Sequence, residues 1–326
     1  MKIGIVSFAH PHAYSYLNKL INNQRVDWLG FFDDDQARAK EVAAKYQINS
    51  YASIKELMEQ KLDGVIVASE NAKHREQVCL LAPYRLSILC EKPLATNCAD
   101  GLAMIKACQE HGSTLGICYP VRYLSSIREM KNKIKEGVIG RIEHITASNH
   151  GSYPGGWFAQ PDLSGGGALI DHTVHVCDIV YWMTGARPTK VIAMANTMRA
   201  GLKVEDLALL NVEWNQGFDL TLDSSWSRNE HYPIWGDVKF KIYGNLGMIE
   251  VDSMNQVIEI YSNKKDKPLW SYWGDDMDQG LIDSFVDSIE KGVPFPVPAE
   301  DGLVSLKVVD MAYHFLRSED NRAIEY

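Results

Sequence analysis

No stretch of this 326-residue chain approaches the roughly 18 consecutive apolar residues that a membrane-spanning helix needs, so none is expected. Basic tracts are missing too. The net charge is −9, which argues against nucleic acid or an anionic membrane surface as partner. Cysteines in metal-binding spacing are lacking. Cys79, Cys90, Cys98, Cys108, Cys118 and Cys177 include no C-x-x-C, and several sit in apolar runs. Reduced, mostly buried thiols and a cytoplasmic location are expected. The N-terminus enters a strand directly, so no export signal is expected. Internal repeats and low-complexity segments are absent. What is present, 46% apolar and 23% charged residues, is the balance of a globular protein long enough for two domains.

One further lack concerns glycine. The chain opens "KIGIVSFAHPHAYSYL": a β-branched run, a tight turn, and a helix with Pro11 at its start, where a missing N–H costs nothing. This arrangement announces a dinucleotide site when the turn reads G-x-G-x-x-G. Ser7, Ala9 and His12 hold those glycine positions here. Ser7 and Ala9 are small, so close approach of the backbone to a pyrophosphate is only partly lost. The helix start still aims N–H groups at an anion, and His10 and His12 add donors. The alternative is a turn that binds nothing.

The second strand ends in "FFDDD". Asp33 lies near the roughly 20-residue distance at which an acid binds a cofactor ribose. Asp34 or Asp35 is expected to cap the next helix, with Asp33 facing the cofactor. Three carboxylates and no nearby arginine favour NAD over NADP. Strands and helices then alternate as far as residue 122, which predicts βαβ units and a doubly wound parallel sheet. From residue 123 to 326 the pattern becomes two helices with a strand-like run between them, six further strand-like runs and two closing helices. That predicts an α+β domain with a large, mostly antiparallel sheet.

"CEKPLATN" puts Glu91, Lys92 and Pro93 at the end of a strand, the ligand edge of such a sheet; a surface salt bridge is the alternative. In "SGGGALIDHTVHVCDIVYWMTG", Gly165 to Gly167 give a flexible entry to a helix. Asp171, His175 and Asp178 share one face of it, and a histidine one turn from a carboxylate is a ready general base. Asp171 and His172 point about a third of a turn apart, and no ligand cluster is visible, so no metal is expected. His150, Tyr153 and Trp157 in "NHGSYPGGWFAQ" suit a substrate wall, and Arg122 and His172 are expected to face the substrate.

Together these segments resemble the Gfo/Idh/MocA oxidoreductase family (glucose–fructose oxidoreductase, inositol dehydrogenase and relatives). The resemblance covers nearly the whole chain. "EKPLATN" matches the family's EKP motif. "GGGALIDHTVHVCD" matches its GGG-x-L-x-D-x-G-x-H-x-x-D pattern, with Thr173 in place of a glycine. "VASENAKH" resembles its A-T-P-N-x-x-H segment. The resemblance implies a catalytic set of Lys92, Asp171 and His175. It implies cofactor contacts from Ser7, Phe8, Ala9, His10, His12, Asp33, Ser69, Asn71, His74, Glu91 and Lys92. It also implies hydride transfer between NAD and a carbinol carbon of a sugar, polyol or cyclitol, in a homodimer or homotetramer. A non-catalytic nucleotide or sugar sensor on the same fold is the rival reading, and cofactor-assisted elimination a third.

Overall fold

The protein is described by a computed structural model. It covers residues 1–318 except 233, 261, 262, 265, 266, 268 and 273, and the side chain of residue 270. The chain forms two compact units. The first comprises Met1–Pro120, Asp162–Gly165 and Met277–Leu303. The second comprises Val121–Pro161, Gly166–Asp276 and Val304 onward. The first unit therefore gathers two later segments that the sequence reading assigned to the second domain.

In the first unit, strands and helices alternate as β1 (Lys2–Val6), α1 (His12–Ile21), β2 (Asp27–Phe32), α2 (Gln36–Tyr46), β3 (Ser50–Tyr51) and α3 (Ile54–Met58). They continue as β4 (Gly64–Val67), α4 (His74–Leu81), β5 (Ser87–Cys90), α5 (Cys98–His111) and β6 (Thr114–Ile117). The strands pair in parallel in the order β3-β2-β1-β4-β5-β6. This is the doubly wound order, with its switch point between β1 and β4. Every residue of β4 is buried, as expected for a central strand covered on both faces. Asp35 caps α2 by accepting from the N–H groups of Ala37 and Arg38. Asn97 caps α5 in the same way, and Gly112 ends it in the left-handed conformation.

The second unit holds α6 (Ser125–Lys135), β7 (Ile142–Ser152), the short α7 (Pro161–Ser164, mostly in the first unit), α8 (Ala168–Thr184), β8 (Pro188–Asn196) and β9 (Leu207–Trp214). Then come β10 (Phe218–Arg228), β11 (Lys239–Gly244), β12 (Gly247–Asp252), β13 (Val257–Ile260) and β14 (Leu269–Tyr272). Its six-stranded sheet has the order β12-β11-β7-β10-β9-β8. All neighbours are antiparallel except the parallel pair β7 and β10. Alternate residues of β9 and β10, such as Leu210, Val212, Leu220 and Leu222, are buried beneath α8, which packs on this sheet. The sequence reading carried the strand at β13 on through Tyr261 and Ser262, which lie outside the described residues.

Two closing helices follow, α9 (Met277–Lys291) and α10 (Ala299–Arg317). α9 packs on α1 within the first unit. Ser15 donates to Asp278, and Arg25 pairs with Asp287 and Glu290. Among the described residues, no helix is long and apolar enough to cross a membrane.

Candidate functional site

Ser7 occupies the first glycine position of the β1–α1 turn with φ 69°, the left-handed conformation that glycine adopts without cost. Its hydroxyl accepts from the Ala9 N–H at 3.1 Å. The His12 N–H donates to His10 Nδ1 at 3.2 Å, and the His10 N–H donates to the Ala68 carbonyl at 3.0 Å. Two of these amides thus rest on side-chain acceptors that a stronger anion can displace. α1 itself has no side-chain cap and no acid in its first turn. No acid of the helix's own first turn opposes its partly positive end, and the turn fits a dinucleotide pyrophosphate.

Asp33 sits at the tip of β2, fully buried. Its carboxylate accepts from the Phe8 N–H at 2.7 Å and from Arg38 at 2.8 Å (Nε) and 2.7 Å (Nη2). This corrects the expectation of no arginine nearby: Arg38, one turn into α2, forms a two-pronged pair with Asp33. Lys73 contacts Asp34 at 2.6 Å and Glu70 at 3.0 Å. Four carboxylates (Asp33, Asp34, Asp35, Glu70) therefore meet two cations here, leaving the strand tip net acidic.

Glu91, at the end of β5, is also fully buried. One oxygen accepts from the Tyr16 hydroxyl at 2.5 Å and lies 3.1 Å from His12 Nδ1. The other accepts from the Lys92 N–H at 2.9 Å. Burial pushes this carboxyl up, but the neighbouring imidazoles and Lys92 outweigh it and hold it far below the usual range. The same pairing raises His12 against the opposing effect of its own burial. Lys92 is itself buried. His74 is fully buried, with its ring nitrogens 3.0 Å from the Pro93 carbonyl and 3.3 Å from the Ser69 carbonyl. It ties the loop after β4 to the segment after β5. Asn71 donates to the Ser164 carbonyl at 2.8 Å, and the Ser69 hydroxyl donates to the Glu70 carbonyl.

In the second unit, α8 starts on Glu205. Its carboxylate accepts from the N–H groups of Gly167 and Leu169, and its carbonyl accepts from that of Ala168. A Cβ at Gly166 would overlap the Tyr313 hydroxyl, and one at Gly167 the Glu205 carbonyl. These glycines serve close packing, and the expected flexible entry is a tightly built helix start.

Further along α8, Asp171 accepts from the Trp226 indole N–H at 2.9 Å and lies 3.3 Å from His172 Nε2. The two neighbours expected to diverge are thus drawn together. His172 Nδ1 lies 2.9 Å from the Asn149 carbonyl, which can only accept, so that nitrogen carries a proton. Gly151 leaves room for the His172 ring. His175 is buried one turn beyond Asp171. Thr173, which replaces the family glycine, is buried against the Ser224 hydroxyl at 3.1 Å. Tyr153 and Trp157 pack against a cluster of Phe158, Ala168, Val204 and Trp226, so an aromatic surface adjoins Asp171.

Two residues expected on the substrate side are held in ion pairs. Arg122 is buried and grips Asp178 through Nε at 2.8 Å and Nη2 at 2.5 Å. Asp178 therefore braces Arg122. His150 bridges Asp223 (3.0 Å) and Asp237 (3.3 Å), and Arg228 also contacts Asp237. Hydrogen bonds to Asp223 and Asp237 raise His150 to about 9. Sequence reasoning missed Arg38, Tyr16, Glu205 and Trp226. The His12–Tyr16 spacing of one helical turn was the only local signal for any of them.

The sequence matches the model of the oxidoreductase family with an NAD-binding Rossmann fold over residues 1–119, and that of the GFO/IDH/MocA C-terminal domain over residues 127–250. It is 29% identical to 2,7-anhydro-N-acetylneuraminate hydratase of Escherichia coli (strain K12), over 67% of this chain and 59% of that protein. It is 28% identical to 1,5-anhydro-D-fructose reductase of Ensifer adhaerens, over 61% of this chain and 60% of that protein. The match thus spans about three fifths of these relatives. Similarity to inositol 2-dehydrogenase of Acidothermus cellulolyticus extends over 97% of this chain and 92% of that one, at 25% identity. The crystal structure of GenD2 from gentamicin A biosynthesis, in complex with NAD, has the same fold, with a TM-score of 0.86 at 20% identity over 97% of this chain and 93% of that one.

Proposed function

We propose that this chain, which belongs to the GFO/IDH/MocA oxidoreductase family, moves a hydride to or from a carbinol carbon of a sugar, polyol or cyclitol with NAD as cofactor. The reading rests chiefly on Asp171. This buried carboxylate is oriented by Trp226 and His172, lies one turn from His175 and borders an aromatic surface suited to the apolar face of a sugar ring. Relatives named as inositol dehydrogenases and an anhydro-fructose reductase support the substrate class.

The β1–α1 turn, with Ser7, Phe8, Ala9, His10 and His12, would hold the dinucleotide pyrophosphate. When bound, the nicotinamide supplies the hydride donor or acceptor. His175 takes up the substrate hydroxyl proton, and Asp171 orients that hydroxyl or its neighbour. Lys92 donates a hydrogen bond and positive charge to the oxygen as alkoxide character grows. The acidic excess at the tip of β2, four carboxylates against two cations, favours NAD over NADP, since a 2′-phosphate would meet net negative charge. Tyr153 and Trp157 contact the substrate. A cytoplasmic homodimer or homotetramer completes the reading.

The test is reduction of NAD in the presence of inositols, aldoses and polyols, followed by nicotinamide absorbance. Lys92→Ala should lower kcat by about 100- to 1000-fold while changing the NAD dissociation constant little. Stoichiometric NAD binding without turnover on any of these compounds would favour a sensor. Product formation with no net change in nicotinamide would favour water addition or elimination, as the name of one relative suggests. Normal turnover by Lys92→Ala would remove that lysine from the chemistry.

A further inference from the structure

One cluster of the first unit, beside the turn proposed for the pyrophosphate, carries chemistry that anion binding alone does not use. His10 and His12 stand in the turn after β1, and Glu91 ends β5. The two imidazole rings have centroids 4.4 Å apart. His12 Nδ1 lies 3.1 Å, and His10 Nδ1 4.0 Å, from the same oxygen of Glu91. One donor atom from each of the three side chains lies within 4.8 Å of the others. We propose that His10, His12 and Glu91 bind one divalent transition-metal ion of the zinc class. The sequence reading expected no metal, because Asp171 and His172 point apart and His10, His12 and Glu91 lie too far apart in sequence to show as a ligand cluster.

The geometry is close to what such an ion needs. With metal–ligand bonds of about 2.0–2.2 Å, the donors of a tetrahedral site stand about 3.4 Å apart. The observed spacings bracket that value, so the longest edge must close by little more than about an ångström. The His12 N–H donates to His10 Nδ1, so that nitrogen is unprotonated; coordination replaces this hydrogen bond and displaces the proton between His12 Nδ1 and Glu91. Glu91 is oriented by the Tyr16 hydroxyl on one oxygen and by the Lys92 N–H on the other, the kind of outer support that fixes a metal-binding carboxylate. His10 and Glu91 are buried, whereas the His12 side chain is 30% exposed. Solvent thus reaches the cluster from one side, where a water or anionic oxygen can complete the coordination. Two imidazoles with one carboxylate suit zinc, cobalt or nickel; magnesium and calcium prefer oxygen ligands throughout.

This inference stands apart from the assignment of the reaction, and its test is metal binding alone. Full-length protein is stripped with a chelator, then titrated with Zn²⁺ by calorimetry and with Co²⁺ by visible absorption. One equivalent per chain is expected, with the visible bands of a nitrogen- and oxygen-ligated Co²⁺ and no competition from excess Mg²⁺. Glu91→Gln leaves a buried cluster altered and can unfold the protein. His12→Gln, at a part-exposed position, is therefore the deciding variant, with its fold checked by circular dichroism. It should abolish the stoichiometric uptake, and Tyr16→Phe should weaken it about 10-fold or more. Absence of saturable one-to-one uptake overturns the proposal. Uptake that persists unchanged in His12→Gln, or that Mg²⁺ displaces, overturns it as well.

Discussion

His150 offers a sharp quantitative test of the second unit. It lies on β7, with its ring between Asp223 of β10 and Asp237, and its own N–H also donates to Asp237. Hydrogen bonds to Asp223 and Asp237 raise its pKa from 6.5 to about 9 in the folded protein, against the opposing effect of burial. A group raised in this way contributes stability that is fully present below its unfolded value and lost as pH climbs through its folded value. The window therefore runs from about pH 6.5 to about pH 9. The whole difference corresponds to about 3 kcal/mol. Asp223 is 40% exposed, and screening there reduces the expectation to about 1–2 kcal/mol. Burial alone would raise Asp237, yet its bonds with His150 hold it at about 2. That is the same interaction seen from the other partner, so it adds nothing further to the sum.

The perturbation is His150→Gln, which keeps hydrogen-bonding capacity and removes the titration. Urea unfolding of both proteins is followed by tryptophan fluorescence from about pH 6 to about pH 10. The stability gap between wild type and variant should shrink by about 1–2 kcal/mol across that range. Using the gap cancels titrations common to both chains. A gap independent of pH would show that His150 is not an imidazolium at neutral pH, and the bridge between the two aspartates would lose its electrostatic meaning.

Three further outcomes are expected. Gly167→Ala should destabilise the protein by several kcal/mol in thermal or urea unfolding, because the new Cβ meets main-chain atoms of Glu205 that cannot swing aside. Arg38→Ala leaves Asp33 buried without its cation and should cost about 3–5 kcal/mol of stability, while calorimetry on folded wild type should give tighter binding of NAD than of NADP. The outer face of the six-stranded sheet pairs Met194 with Leu209 and Tyr243 with Met248, all exposed; light scattering should report a dimer or tetramer, and Met194→Glu should shift it toward monomer.

What the sequence made legible follows the range of the interactions. The parallel sheet was readable because β4 and β5 are short apolar runs bounded by turn residues, and their burial is a property of the run itself. The cap at Asp35 was readable because it acts on N–H groups two and three residues away. The membership of α9 in the first unit was not, since it depends on pairs such as Arg25 with Asp287, which lie far apart in sequence. The site divides along the same line. His10, His12, Asp33, Glu91, Lys92, Asp171 and His175 could be named from local pattern, but the states of His12, Asp33, Glu91 and Asp171 are set by partners that the pattern did not single out. Asp33 read alone gives no sign of the Arg38 pair, and Arg122 none of Asp178, on α8, which accepts from one edge of its guanidinium. Asp171 gains its orientation from Trp226, which the pattern around "DSSWS" did not distinguish from an ordinary core tryptophan. A motif names the chemistry a side chain can perform. Which neighbours hold, charge or occupy that side chain is a tertiary fact, and in this protein it separates Asp171, oriented beside an aromatic surface, from Asp178, spent on a buried arginine.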